Sequence, residues 1–202
     1  MARPRLLDLF CGAGGAGLGY NRAGFEVVGI DLNPQPNYPF VFMQADALTA
    51  LTDRSFTSRF DAIHASPPCQ RFSVATPWRG DPMAHPDLVD VTRDALQLIG
   101  LPYVMENVPG APLRKDLMLC GSMFGLAVRR HRIFESSVTL ARPTMPCWHH
   151  GLLPFMHKGE RAYADAMGCM WMSSKEGRQA IPPAYTEHIG KQLLAHIVTV
   201  SA

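Results

Sequence analysis

The stretch Leu6-Leu7-Asp8-Leu9-Phe10-Cys11-Gly12-Ala13-Gly14-Gly15-Ala16-Gly17-Leu18-Gly19 decides the fold. Leu6 to Phe10 is an apolar run, broken only by Asp8, of the length of a buried strand. A glycine-rich turn follows and opens a helix that ends near Gly24. Gly12-x-Gly14-x-x-Gly17 fits the dinucleotide fingerprint, in which glycines let the backbone approach a ligand closely. Phe25 to Asp31 reads as a second strand, and Asp31 ends it 19 residues past Gly12. An acid there can accept hydrogen bonds from ribose hydroxyls. A merely flexible turn is the plain alternative. The fingerprint alone also leaves open whether the ligand is a nicotinamide cofactor or S-adenosylmethionine, since both carry adenosine.

Outward from this unit, strands and helices keep alternating. Tyr38 to Gln44 contains a third short strand, and Asp46 follows it. A second carboxylate there suits the exocyclic amine of adenine, or simply caps a helix starting at Ala47. Phe60 to Ala65 reads as a buried strand that runs into Ser66-Pro67-Pro68-Cys69-Gln70. The prolines stop the strand and stiffen the backbone presenting Cys69. Ligands of open α/β sheets sit beyond the carboxyl ends of strands, so Cys69 is held where a substrate would lie. Taken alone, Pro-Pro-Cys equally fits a buried cysteine beside a proline turn. Asp87 to Ile99 is helical, with Leu88, Val91, Ala95 and Leu98 expected on the core face, and Pro102 to Asn107 is another strand. The class implied is α/β, a Rossmann-like, doubly wound, mostly parallel sheet.

Residues 141–180 break the rhythm with Pro143, Pro146, Pro154, three histidines, two cysteines and two tryptophans. They read as an irregular insert between a catalytic and cofactor-binding core (1–140) and a C-terminal segment returning to it (181–202). In that last segment Ile189, Leu193 and Ile197 mark the packed face of a helix.

Composition sets bounds. A chain of 202 residues, 47% hydrophobic and 18% charged, is a soluble globular domain with a sizeable core. A net charge of +2 does not announce a nucleic-acid binder, though it permits a local basic patch. Leu6–Phe10 is too short for a signal segment or a membrane span. Five cysteines without paired spacing point to a reduced, cytoplasmic protein.

Cys69 and Glu106 both fall at strand ends, so they share one edge of the sheet. A thiol beside a carboxyl suits covalent attack with acid assistance. A cytosine ring protonated or hydrogen-bonded at N3 is electron-poor at carbon 6. Thiolate addition there makes carbon 5 nucleophilic toward a sulfonium methyl. Arg129-Arg130-His131-Arg132 precedes an apolar strand at Ile133-Phe134, so part of this cationic run points inward rather than forming a solvated surface.

These motifs together resemble the cytosine-5 DNA methyltransferases, and in length the small phage-encoded members. Asp8-Leu9-Phe10-Cys11-Gly12-Ala13-Gly14-Gly15 resembles their cofactor loop. Pro67-Pro68-Cys69-Gln70 resembles the nucleophile motif, and Glu106-Asn107-Val108 the motif whose acid holds cytosine N3. Arg130-x-Arg132 resembles an arginine motif whose last residue contacts cytosine O2, with Val128 where that motif has glutamine. Ile189-Gly190-Lys191 resembles the final cofactor motif, with lysine where asparagine is usual. The resemblance implies catalytic roles for Cys69, Glu106, Arg130 and Arg132. It implies S-adenosylmethionine contacts from Phe10, Gly12, Gly14, Gly15, Asp31 and Leu32, and from Asp46, Ala47, Pro68, Gly190 and Lys191. It also implies a monomer acting on double-stranded DNA, with the target base turned out of the stack.

The insert is much shorter than the recognition domain the resemblance implies. It supplies a loop or hairpin with Arg142, His149, His150, Lys158 and Arg161 for phosphate contact, or a small packed lid. Cys147, His149, His150, His157 and Cys169 make a zinc site conceivable. Without a Cys-x-x-Cys pair, no metal is assigned. Trp148 and Trp171 are expected in a small core there. Two alternatives stay open: the same chemistry on a free deoxycytidine nucleotide, and an NAD-dependent oxidoreductase.

Overall fold

A computed structural model describes residues 2–73, 81–150 and 160–200, apart from the side chains of 82, 160 and 161. Seven strands among these residues form one sheet: β1 (Arg5–Leu9), β2 (Glu26–Asp31), β3 (Val41–Gln44), β4 (Ala62–Ala65), β5 (Tyr103–Asn107), β6 (Leu117–Leu119) and β7 (Arg132–Ser136). Their order is β3-β2-β1-β4-β5-β7-β6. The first five in that order are parallel, and β7 runs antiparallel to β5 and β6. Strand order turns outward in both directions from β1 and β4. Their carboxyl ends therefore flank the switch point, where the loops diverge and leave a crevice. The glycine turn follows β1 and Pro67-Pro68-Cys69 follows β4, so both motifs meet at that crevice.

The period-two alternation of each strand sorts the core into two layers. Leu7, Leu9, Ile30, Ile63 and Met105 face α2 (Ala47–Thr52), α3 (Arg54–Thr57) and α4 (Val89–Ile99). Leu6, Val27, Val104 and Phe134 face α1 (Gly15–Ala23) and α7 (Pro183–Val200). Leu6, Leu7 and Leu9 are fully buried, each contributing about 1.5–3 kcal/mol. On the α1 side the same alternation buries three polar side chains, Asp8, His64 and Glu106.

Two expectations about packing are corrected. The buried stripe of α4 is Val89, Thr92 and Leu96, while Val91 and Leu98 are 46% and 75% exposed. Leu88 is the N-cap of that helix rather than its first core residue, and each step of one residue turns the face by about 100°. Trp148 is 63% exposed, so only Trp171 joins the insert's apolar cluster.

The final helix packs tightly along α1. A Cβ on Gly190 would lie 2.7 Å from the Ala23 Cβ, and one on Gly19 would collide with Thr186 and the Pro183 carbonyl. Thr186 Oγ1 donates to the Ala16 carbonyl at 2.8 Å across the same contact. The insert carries α5 (Glu160–Ala166) and α6 (Ser174–Gln179). Tyr163, Met167, Cys169 and Met172 bury themselves there against Ala13 and Val128 of the core. The described residues from Tyr163 to Met172 thus share an apolar cluster with Ala13 of the glycine turn. Among the described residues, no helix is long and apolar enough to cross a membrane.

Candidate active site

The glycine turn is held from below by Asp31. Its Oδ2 accepts from the Gly12 amide at 3.0 Å and its Oδ1 from the Asn33 amide at 2.9 Å. Each carboxylate oxygen keeps a further lone pair for a ligand. Phe10, at the end of β1, adopts φ +56°, a left-handed conformation that costs a bulky residue energy. The strain turns the Phe10 ring toward a cavity of about 390 Å³ that Gly12, Asp31, Leu32, Asp46 and Ala47 also line. Asp46 also caps α2, accepting from the Thr49 amide at 2.7 Å, which holds its carboxyl below the ordinary range. The helix-cap reading of Asp46 holds, and the same residue lines the cavity.

The same cavity is lined on its other side by Ser66, Pro67, Pro68, Cys69, Glu106 and Arg132. The Pro67-Pro68-Cys69 loop is fixed by Asn107, whose Nδ2 donates to the buried Pro67 carbonyl at 3.0 Å. Arg132 Nε lies 2.8 Å from Glu106 Oε1, because β5 and β7 run antiparallel with Glu106 paired to Phe134. Burial raises the Glu106 carboxyl above its usual range, opposed by Arg132, Arg130 and Ser66. Burial likewise raises the Cys69 thiol, Glu106 adds to this, and Arg132 and Arg130 oppose it.

Behind Glu106 lies a polar row that sequence reasoning missed. Tyr20 Oη is 3.0 Å from His64 Nδ1, and His64 Nε2 is 2.8 Å from Ser66 Oγ. Burial holds His64 down to about 3, so the ring is neutral. With Tyr20 donating to Nδ1, Nε2–H donates to Ser66, whose own hydroxyl proton is left for Glu106. A histidine inside the otherwise apolar strand Ala62–Ala65 was the visible signal.

Asp8 was a similar signal, read only as an interruption. It is fully buried, and its Oδ2 accepts from Tyr38 Oη at 3.2 Å. Burial pushes its carboxyl up to about 8, against the Tyr38 hydrogen bond and with help from Asp31. The native state therefore keeps a proton that an unfolded carboxyl loses near pH ~4. This contribution to stability is complete below that pH and disappears as pH rises through about 8. We expect Asp8→Asn to flatten the decline of the unfolding free energy, read from urea titrations, over this window by up to about 1.4 kcal/mol per pH unit. Equal slopes for parent and variant would show Asp8 to be ionised in the fold.

Several expected residues stand elsewhere. Gly190 is buried in the α1–α7 contact, and the exposed Lys191 pairs with Glu187 at 2.7 Å; neither lines the cavity. The close helix approach accounts for the glycine. Gly14, at φ +85°, abuts Tyr38 and Pro39 rather than the cavity. Arg130 is buried away from it, donating to Tyr163 Oη at 3.0 Å and to the Arg178 carbonyl at 2.7 Å. It ties the insert to the sheet. Glu176, Gln179, Ala180 and Ile181 close the cavity from the insert side, and no sequence pattern marked them. His157 and Lys158, and the side chain of Arg161, lie outside the described residues.

A family model for C-5 cytosine-specific DNA methylase matches residues 4–113, more than half of the chain. The chain belongs to the C-5 cytosine-specific DNA methylase family. The matched region holds the glycine turn, Asp31, Cys69 and Glu106, and ends before Arg132 and the insert. Type II methyltransferase M1.HphI of Haemophilus parahaemolyticus is 30% identical over 122 residues, 50% of this methylase chain and 32% of that protein. Type II methyltransferase M.AquIA of Picosynechococcus is 32% identical over 124 residues, 52% of this chain and 49% of the relative. The matches thus span a third to a half of these relatives' lengths. The S. pombe Dnmt2 methyltransferase structure aligns with TM-score 0.58 at 14% identity, covering 97% of this chain and 99% of the other. That likeness carries the fold of the described residues beyond the region the family model matches.

Proposed function

We propose that this chain transfers a methyl group from S-adenosylmethionine to carbon 5 of cytosine in DNA, with Cys69 as a transient covalent nucleophile. One observation carries the reading: the strained glycine turn and the Cys69, Glu106 and Arg132 cluster line a single cavity. Its volume of about 390 Å³ lies within the range of small-molecule sites. The spare lone pairs of Asp31 and the exposed Leu32 beside Phe10 fit a ribose and an adenine face. When bound, S-adenosylmethionine supplies the electrophilic methyl.

The protein's residues do the rest. A carboxyl raised by burial suits a proton donor at cytosine N3, and Ser66 orients it. Arg132 steadies that carboxyl and presents charge toward O2. As Glu106 protonates N3, Cys69 gives up its proton to solvent and its sulfur bonds to carbon 6, so the ring's electrons reach carbon 5, which would take the methyl as the sulfonium carbon–sulfur bond breaks. Carbon 5 then loses its proton to water, the carbon 6–sulfur bond breaks to release the thiolate, and N3 returns its proton to Glu106, which restores the aromatic ring. A nicotinamide reading leaves Cys69, Glu106 and Arg132 without a task.

The test is methyl transfer from labelled S-adenosylmethionine to duplex DNA and, in parallel, to free deoxycytidine nucleotides. Label at cytosine carbon 5 of duplex DNA is the expected result. Label only in free nucleotide would overturn the DNA substrate, and label in neither would overturn the activity. Asp31→Ala should weaken cofactor binding by about 1.5–3 kcal/mol per ribose hydrogen bond lost, more than about tenfold in affinity. Unchanged affinity in calorimetric titration would remove Asp31 from the cofactor.

A further inference from the structure

At the far end of the β6–β7 ladder, Cys120, His131, Cys147 and His149 bring one ligand atom each to within 4.8 Å of one another. Cys147 Sγ is 2.9 Å from His149 Nε2 and 3.4 Å from His131 Nε2, and Cys120 Sγ is 3.4 Å from His149 Nε2. Zinc bond lengths of about 2.3 Å to sulfur and about 2.0 Å to nitrogen put tetrahedral ligands about 3.6 Å apart. The geometry points to a structural zinc site formed by these two cysteines and two histidines.

The site is built into the fold. The ladder pairs Leu119 with Arg132, so continuing it by one step sets Cys120 opposite His131 on the same face. The other two ligands come from Cys147-Trp148-His149, in the extended run after β7. Ser122 holds that run, accepting from the Trp148 amide at 3.0 Å and donating to Cys147 Sγ at 3.8 Å. Oriented hydrogen bonds of this kind tune metal ligands from behind. Two thiolates and two neutral imidazoles balance the charge of a divalent cation, and binding would release the thiol protons to solvent. Four protein ligands leave no open position, so the ion is structural rather than catalytic. A mixed sulfur and nitrogen tetrahedron selects zinc over the harder cations.

Such an ion would clamp three segments to one another: the end of β6, the residue before β7 and the Cys147-Trp148-His149 run. His131 immediately precedes Arg132, so the clamp holds the start of β7 where Arg132 meets Glu106. It also ties the beginning of the insert to the sheet. Of the residues that the sequence grouped for zinc, Cys147 and His149 join this cluster, His157 lies outside the described residues, and Cys169 and His150 stand apart from it. Cys169 is fully buried in the insert's apolar cluster, and His150 stacks beside Trp148.

The full chain, produced with zinc and purified under reducing conditions, should carry about one zinc per chain by elemental analysis. After chelation, Co²⁺ should give the intense visible bands and thiolate charge transfer of a tetrahedral sulfur and nitrogen site. Cys147→Ser with His149→Ala should lose both the zinc and the cobalt spectrum. His150→Ala with Cys169→Ser should keep them. Chelation should lower the melting temperature of the parent and leave that of the Cys147/His149 variant unchanged. A parent chain that carries no zinc and gives no tetrahedral cobalt spectrum overturns the site. So does a Cys120–Cys147 disulfide found by mass spectrometry in the freshly purified parent, or zinc retained by the Cys147/His149 variant.

Discussion

Replacing Cys69 by alanine is expected to lower methyl transfer to duplex DNA by at least about 10⁴-fold, because the covalent route to an activated carbon 5 disappears. The thiol lies on the side of the cavity formed by Ser66, Pro67, Glu106 and Arg132, whereas the glycine turn and Asp31 form the other side. Affinity for S-adenosylmethionine should therefore change little in the same preparation. Cys69→Ser should be nearly as inactive. Burial already raises the thiol, and a hydroxyl in that place starts from a far higher value with no adjacent strong base. Turnover within tenfold of the parent (about 1.4 kcal/mol of barrier) would exclude covalent catalysis at this residue.

Glu106→Gln should reduce kcat by about 10²–10⁴-fold, the range for loss of a positioned acid. Glutamine keeps the shape and a hydrogen bond to the base but cannot deliver a proton to N3. The substitution also leaves the buried Arg132 guanidinium facing a neutral amide, where now a carboxylate oxygen stands 2.8 Å from Nε. Two measurements separate these effects. The pH profile of kcat should lose the limb belonging to Glu106, while DNA affinity, read by filter binding, should fall much less than turnover. A variant whose kcat is unchanged would take proton donation away from Glu106. A parallel fall in DNA affinity and kcat would reduce its role to ground-state binding.

The two residues were legible for a common reason. Each sits at the carboxyl end of a strand with a clear apolar run, and the switch-point rule turns strand ends into neighbours. Cys69 was further marked by the prolines that stop β4, and Asp31 by its spacing from Gly12. Arg132 followed from a cationic run entering an apolar strand. All of these are local patterns, and local patterns carry to the fold because the sheet's order follows from its connections.

The tertiary structure decided what depends on partners distant in sequence. Arg130 lies two residues before Arg132, the first residue of β7, and the chain cannot announce which side chain meets Glu106 and which meets Tyr163 and Arg178. Gly190 looks like part of a loop motif until α7 lies against α1 and leaves no room for a Cβ. The buried stripe of α4 falls on Val89, Thr92 and Leu96, one residue on from Leu88, Val91 and Ala95, because the face a helix buries is set by what it packs against. Cys120 and His131 come together with Cys147 and His149 only when β6 pairs with β7, across separations of 11 to 29 residues that form no sequence motif. The amino-acid sequence by itself thus determined the five parallel strands, the glycine turn and the order of chemical groups along their edge, because each is set by neighbours within a strand, turn or helix, while β6 carried no such local signal. Which buried polar groups pair, and which cysteines meet histidines, was left to the tertiary structure, because burial and long-range register are properties of the packed chain alone.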